Sequence, residues 1–321
     1  MMLRVGWIGL GAMGAPMAAC VARAGYATTA FDIDPRRAEE LADDGVSPAA
    51  TITRAAAGAD VLVLMVATPE QVEGVLFGDD PASATLKRGA IVVVMATVGP
   101  AAVERWADRL TAQGVDLVDA PVSGGVARAG AGDLLIMVGG HDHAVQRIQP
   151  LLGAIARSAP VVGSHPGDGQ KVKLVNQMLC GVHIAVAAEA LAFAEAIGLD
   201  ARSTWDVIRD GAAASFMLDD RGARMVDGAF DDVRSALDIF VKDMGLVTDA
   251  ARDHAYPASL TSATQRLYQA GQRAGLGRLD DSSVIEVLRA TASRATVDAV
   301  SESGSFRARP SVHGLAGPAN R

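Results

Sequence analysis

Gly9-Leu10-Gly11-Ala12-Met13-Gly14 directly follows the apolar run Val5-Gly6-Trp7-Ile8, with glycine at its first, third and sixth positions. That spacing suits a dinucleotide pyrophosphate. The first glycine permits a tight turn, the second lets the backbone approach the phosphates without a Cβ in the way, and the third lets helix and strand pack closely. The pyrophosphate then sits at a helix N-terminus, where free amides and the helix dipole favour negative charge. Asp32 ends the next apolar run, about 20 residues on. Its carboxylate can accept hydrogen bonds from both hydroxyls of an adenosine ribose and repels a 2′-phosphate, so the expected cofactor is NAD rather than NADP. Arg36 and Arg37 follow closely. The plain expectation for both is a solvated helix start; turned toward the ribose, they weaken the NAD preference.

Two further stretches carry chemistry. Ser123-Gly124-Gly125 is a small polar loop whose amides and hydroxyl make a cradle for a carboxylate. Lys171 and Lys173 lie at the start of a long apolar helical stretch, with Asn176 and Gln177 after them. Oxidising an alcohol against a nicotinamide requires that the hydroxyl lose its proton, that the carbon face the ring and that any carboxylate be held. A lysine serves as general base only if its pKa falls toward neutrality, through desolvation or a nearby positive charge. Either lysine satisfies this by type. On a helix Lys173, Asn176, Gln177 and Cys180 share one face, at i, i+3, i+4 and i+7. Asn176 can then meet the reacting hydroxyl and position Lys173. His183 lies off that face and is expected to be structural. Phe216 and Met217 are expected in the core, with a pocket entrance as the alternative.

These residues need a scaffold, and the first half of the chain supplies one. Strands are predicted at Arg4–Gly9, Ala27–Asp32, Val61–Val66, Ala90–Val94, Asp116–Asp119, Leu134–Val138 and Ala159–Val162. Most are rich in Val, Ile and Leu with little alternation, as in strands buried on both faces. Helices are predicted between them at Met13–Ala24, Pro35–Asp44, Pro69–Leu76, Pro100–Gln113 and His141–Ile155, three of them opened by a proline that a first helical turn accepts. The alternation implies a parallel sheet covered on both sides. It makes residues 1–163 a doubly wound α/β domain of Rossmann type.

After the loop Gly163–Gly169 only helical periods follow. They are Gln170–Ile197, Ser203–Ala212, Phe216–Val226, Arg234–His254, Ala258–Ala274 and Ser282–Arg289. Residues 164–291 therefore form an all-helical C-terminal domain. Residues 292–321, poor in apolar side chains, are expected to be a disordered tail outside the core.

Composition narrows the function further. The chain of 321 residues has a net charge of −8, which argues against sequence-independent nucleic-acid binding. No early stretch has the form of a signal peptide. The apolar run Val182–Leu191 carries His183 and Glu189 and is too short to span a bilayer. No membrane association and a cytoplasmic location are expected. Cys20 and Cys180 are far apart and belong to no CxxC pair, so two reduced, buried thiols and no metal site are expected.

Four motifs in order resemble the β-hydroxyacid dehydrogenase family, over about Val5 to Leu288. They are Gly9-Leu-Gly-Ala-Met-Gly-Ala-Pro-Met17, Asp119-Ala-Pro-Val-Ser-Gly-Gly125, Gly167-Asp-Gly-Gln-Lys-Val-Lys173-Leu-Val-Asn176-Gln177, and Lys242-Asp243 within Asp238–Leu246. The resemblance implies an NAD-dependent dehydrogenase of small hydroxy acids. Its Gly-x-Gly-x-x-x-Lys spacing selects Lys173 as the catalytic base, with Lys171 solvated. It implies that Ser123, Gly124, Gly125, Asn176 and Gln177 bind substrate. It places Thr97 against the nicotinamide ribose, and Lys242 against the cofactor with Asp243 holding its ammonium. Two positions depart from the pattern. Ala96 precedes Thr97 where the family usually has Ser or Thr, and Gln177 replaces a second asparagine, which shifts the reach of that amide.

The stretches Val175–Ile184 and Asp238–Leu246 look most like the L-threonate dehydrogenase branch, which makes a four-carbon sugar acid the leading substrate. 3-Hydroxyisobutyrate and tartronate semialdehyde are the alternatives. An imine reductase, a branch that usually replaces the lysine, and an NAD sensor without turnover rank below them. Association into a homodimer or homotetramer through the helical domain is implied as well.

Overall fold

The computed structural model describes residues 2–292; the tail expected at 292–321 lies, but for its first residue, outside the described residues. The chain begins β1 (Val5–Ile8), α1 (Gly14–Arg23), β2 (Thr28–Phe31), α2 (Arg36–Glu39), β3 (Val46–Pro48), α3 (Ile52–Ala56), β4 (Val61–Leu64) and α4 (Pro69–Phe77). It continues with β5 (Ile91–Val94), α5 (Pro100–Thr111), β6 (Asp116–Asp119), β7 (Val122–Ser123), α6 (Gly125–Gly130), β8 (Leu134–Ile136), β9 (Val138–Gly139), α7 (Asp142–Leu152), β10 (Ala156–Ser158) and β11 (Val161–Gly163). Helices follow: α8 (Asp168–Ala196), α9 (Ala201–Ile208), α10 (Phe216–Asp227), α11 (Leu237–Asp253) and α12 (Ser259–Arg273), and then a 3-10 turn (Asp281–Val284) that leads into a helix over 285–292.

The main sheet has the order β11-β9-β6-β5-β4-β1-β2-β3. From β3 to β6 every pairing is parallel. The order reverses beside β1, the crevice where doubly wound sheets bind their ligands. Side chains alternate between two cores. Val61, Val63, Ile91 and Val93 pack on the α1 and α7 side, whereas Leu62, Leu64, Val92 and Val94 pack on the α4 and α5 side. Each such buried side chain contributes on the order of 1.5–3 kcal/mol, which is why these strands read as continuous apolar runs.

Three local expectations change. The sheet is not wholly parallel: β9 joins β6 antiparallel at Asp119–Gly139. The stretch Leu134–Val138 is two strands, with β8 in a second small sheet, β10-β8-β7. The chain changes sheets at Met137, whose amide donates to the Pro121 carbonyl at 3.0 Å, while that of Val138 goes to Pro160 at 3.0 Å. The helix expected over Pro35–Asp44 is only the short α2 followed by a 3-10 turn at Ala42–Asp44.

In the helical part α8 is the axis, packed against α9, α10, α11 and α12. Gly181 lets α11 come close, since a Cβ there would lie 2.6 Å from Met244 Sδ. By length and composition α8 is apolar enough to cross a membrane, unlike the short run considered from sequence, but half of its most apolar window is buried inside this domain. An ion-pair network ties α10 to the turn at Asp281–Val284. Arg221 grips Asp281 through Nε and Nη2, both at 3.1 Å, and Arg224 Nη1 donates to Asp280 at 2.6 Å. Both aspartates are fully buried.

Candidate active site

The glycine turn does what its spacing requires. Gly9 has φ +95°, and a Cβ there would lie 2.4 Å from the Met65 carbonyl. A Cβ at Gly14 would lie 2.0 Å from the Gly9 carbonyl, so α1 can start this close to β1 only with glycine. At Gly11 the nearest atom to an added Cβ is Arg37 Nη1 at 3.9 Å, so that side of the turn is open. The amides of Gly11, Ala12 and Met13 have no acceptor among the described residues. An open cradle of free amides at a helix N-terminus fits a dinucleotide pyrophosphate. Leu10 differs: its amide donates to Asp32 Oδ2 at 2.7 Å and its side chain is in the core.

Asp32 thus fastens the turn as well as facing the cleft. Its Oδ1 accepts from the Asp34 amide at 2.9 Å. A carboxylate oxygen can accept a second hydrogen bond, so ribose contacts remain open to it. Arg36 is exposed and pairs with Asp34 at 2.8 Å. Arg37 Nη1 instead lies 3.7 Å from Asp32 Oδ2, turned toward the crevice.

In the helical part, Lys173 lies on the buried face of α8. Burial pushes its pKa below the usual lysine value, with Lys242 acting in the same direction, while Asp243 and Cys180 pull it back up. Among the described residues no group accepts a hydrogen bond from Lys173 Nζ, so its proton chemistry is directed at whatever enters the site. Lys171 is exposed and paired with Asp168 at 3.0 Å, as expected of a solvated residue.

Asn176 links the two halves of the site. Its Oδ1 accepts from Ser123 Oγ at 3.4 Å, and its Nδ2 donates to Gln177 Oε1 at 2.9 Å. Ser123 ends β7, and Gly124 and Gly125 follow at φ +145° and +78°, turning the backbone into α6. Gln177 is more committed than its extra reach suggested, because its amide donates to Asp243 Oδ2. Asp243 Oδ1 lies 2.8 Å from Lys242 Nζ, which in turn donates to the Thr97 carbonyl at 2.7 Å. The Thr97 hydroxyl takes no partner among the described residues.

Two buried residues of the site went unassigned in the sequence. Gln170 accepts from the Val98 and Gly99 amides and donates to the Ala96 carbonyl. Asp119 accepts from the Gly167 amide at 2.7 Å and the Gln170 amide at 2.6 Å, capping α8 from the end of β6. Burial pushes the Asp119 carboxyl up to about 7, against the pull of those amides. Both residues lie inside quoted motifs, Asp119 opening the second and Gln170 three residues before Lys173, but a motif does not say what a side chain touches.

Phe216 corrects the expectation of core packing. It is 55% exposed, with the Arg128 guanidinium 5.7 Å from its ring centre, whereas Met217 packs against the helical core. Cys20 and Cys180 are free, and half-buried rather than buried.

Residues 4–163 match the family described as the NAD binding domain of 6-phosphogluconate dehydrogenase. Residues 167–288 match that described as NAD-binding of NADP-dependent 3-hydroxyisobutyrate dehydrogenase. An L-threonate dehydrogenase of Cupriavidus necator is 40% identical, covering 88% of this chain and 95% of the relative. A 2-hydroxy-3-oxopropionate reductase of Escherichia coli is 33% identical, covering 89% of this chain and 97% of its own. The crystal structure of a 3-hydroxyisobutyrate dehydrogenase from Salmonella typhimurium superposes with a TM-score of 0.84 at 38% identity, over 89% of this chain and 99% of that one.

Proposed function

This chain belongs to the β-hydroxyacid dehydrogenase family, and from that premise we propose that it is an NAD-dependent dehydrogenase of L-threonate or a sugar acid of similar size. It is an oxidoreductase of small hydroxy acids that uses a nicotinamide dinucleotide. The observation that carries the reading is Lys173: a buried amine of lowered pKa, one helical turn before Asn176, whose Nζ finds no acceptor among the described residues.

When bound, a nicotinamide dinucleotide would supply the hydride acceptor for the oxidation, or the donor for the reverse reduction. The turn Gly9–Gly14 would hold its pyrophosphate, with Thr97 toward the nicotinamide ribose. Lys173, as neutral amine, removes the hydroxyl proton; protonated, it polarises the carbonyl in the reverse direction. Asn176 orients the hydroxyl. Ser123 and the amides of Gly124 and Gly125 hold the substrate carboxylate. Lys242 keeps Thr97 in place and adds positive charge that favours neutral Lys173.

NAD over NADP rests on Asp32, whose carboxylate opposes a 2′-phosphate; Arg37 sets the limit of that preference. Lys173 argues against imine reduction, and a sensor would not need it. The four-carbon substrate is supported by L-threonate dehydrogenases at 37–40% identity over most of the chain. NADH formation with L-threonate, compared with 3-hydroxyisobutyrate and with reduction of tartronate semialdehyde, tests the choice. Faster turnover of either alternative overturns it, and NAD binding without turnover of any acid leaves only the sensor.

Self-association is part of the proposal. Val172, Val175, Leu179, Val186, Phe193 and Ile197 recur at helical spacing along α8 and are exposed. An apolar stripe of that length suits a second copy of the chain. Sedimentation of the wild type should give a homodimer or homotetramer, and Phe193→Glu should shift it toward monomer.

A further inference from the structure

Two side chains of the helical part hold the loop Ala96–Gly99: Lys242 at the Thr97 carbonyl, and Gln170 at Ala96, Val98 and Gly99. Gln170 is fully buried. Its Oε1 accepts from the Val98 amide at 3.0 Å and the Gly99 amide at 3.2 Å, and its Nε2 donates to the Ala96 carbonyl at 2.9 Å. A primary amide offers an acceptor to two N–H groups and, on a second atom, a donor to a carbonyl, which an ionised carboxylate of the same length does not. The backbone amide of the same residue is fixed by Asp119 at 2.6 Å. Lys173 lies three residues further on α8, about 4.5 Å along the axis and on the same face.

We propose that Gln170 is a positioning residue, tying the nicotinamide side of the cofactor site to the catalytic lysine as one rigid unit. The proposal rests on the reading of Thr97 as a cofactor contact and of Lys173 as the base. Thr97 sits in the middle of the held loop, its hydroxyl without a partner among the described residues, so the Gln170 clamp, together with Lys242 at the Thr97 carbonyl, sets where that hydroxyl stands relative to Lys173. The adenosine side of the site, built by Gly9–Gly14 and Asp32, takes no part in the clamp.

This asymmetry gives the test. In Gln170→Leu, NADH should bind about tenfold or more weakly, while ADP-ribose, which lacks the nicotinamide, binds as in wild type. At saturating NAD, kcat should fall by about 10–100-fold, the scale of a small misplacement of reacting groups. Wild-type affinity for NADH with wild-type kcat overturns the proposal. So does an equal loss of NADH and ADP-ribose, which marks a merely structural role.

If that variant does not fold, Gln170→Glu serves. It keeps length and acceptor but loses the donor to Ala96. Its NADH affinity relative to wild type should be weak at high pH and recover as the introduced carboxyl gains a proton and becomes a donor. A ratio that stays flat with pH overturns the proposal. Wild-type protein that binds no NADH, or turns over no hydroxy acid, instead sinks the functional reading itself.

Discussion

Lys242 donates its ammonium to the carbonyl oxygen of Thr97 at 2.7 Å, across 145 residues of sequence. The bond crosses the joint between the sheet domain and the helices. On its other side Lys242 meets Asp243 at 2.8 Å, and Asp243 is held by the Gln177 amide. One chain of contacts thus runs from the cofactor loop, through α11, back to the helix that carries Lys173. Burial chiefly sets how easily Lys173 gives up its proton, and the charges of Lys242 and Asp243 along this chain adjust it in opposite directions.

Lys173→Ala should lower kcat by about a hundred- to ten-thousandfold, the usual worth of a positioned base. NADH binding, measured by fluorescence, should survive, because the turn and Asp32 are untouched. Lys173→Arg should be as inactive, since a guanidinium does not deprotonate. Near wild-type turnover in either variant would remove Lys173 from the chemistry.

Asp243→Asn should move the acid limb of the oxidation rate. Oxidation needs neutral Lys173, so the rate rises with pH through the Lys173 pKa. The Asp243 carboxylate stabilises the ammonium form and raises that pKa. Removing its charge lowers the pKa further, and the limb in kcat/KM should shift to lower pH. An unchanged or alkaline-shifted limb would contradict this arrangement of charges.

Asp119 should leave a mark on stability. Burial raises its folded pKa to about 7 from 3.8, so the folded state holds the proton more tightly than the unfolded chain. Its contribution is complete below about pH 3.8 and is lost as pH rises toward about 7. That interval corresponds to on the order of 4 kcal/mol at most. Denaturant unfolding of wild type and Asp119→Asn between these limits should differ in slope, with the variant flatter. Parallel curves would mean that the carboxyl titrates normally.

The glycines of the turn should separate fold from binding. Gly14→Ala forces a contact with the Gly9 carbonyl and should cost about 1–3 kcal/mol of stability. Gly11→Ala meets no protein atom closer than 3.9 Å, so stability should change by less than about 0.5 kcal/mol. Its new methyl group nevertheless stands where the pyrophosphate approaches, and NADH binding should fall more than about tenfold. Tight NADH binding by Gly11→Ala would place the cofactor elsewhere.

Much of the scaffold was legible because its signals are local. The runs at β1, β4, β5 and β6 are apolar on both faces, and their ends were readable to within two residues. The short elements β3, β7, β10, α3 and α6 were missed. They are two to six residues long, below the length at which a period can be recognised. The split at Met137 was invisible as well, because continuous apolarity does not say which sheet a strand joins. Phe216 was misplaced because an aromatic side chain is usually buried, and only the packing of α10 leaves it exposed.

The sequence by itself determined the dinucleotide turn, the order of the two domains and the residue types of the site, since turn chemistry and helical spacing act between neighbours in the chain. Helical spacing alone put Lys173, Asn176 and Gln177 on one face. Only the tertiary structure decided what those residues meet. The depressed Lys173 pKa comes from burial and, to a lesser degree, from Lys242, against the opposing pull of Asp243 and Cys180, and packing supplies the burial and brings Lys242 and Asp243 to the lysine. Gln170 and Asp119 acquired their places at the domain joint in the same way, because hydrogen bonds across 48 to 74 residues exist only once the chain has folded.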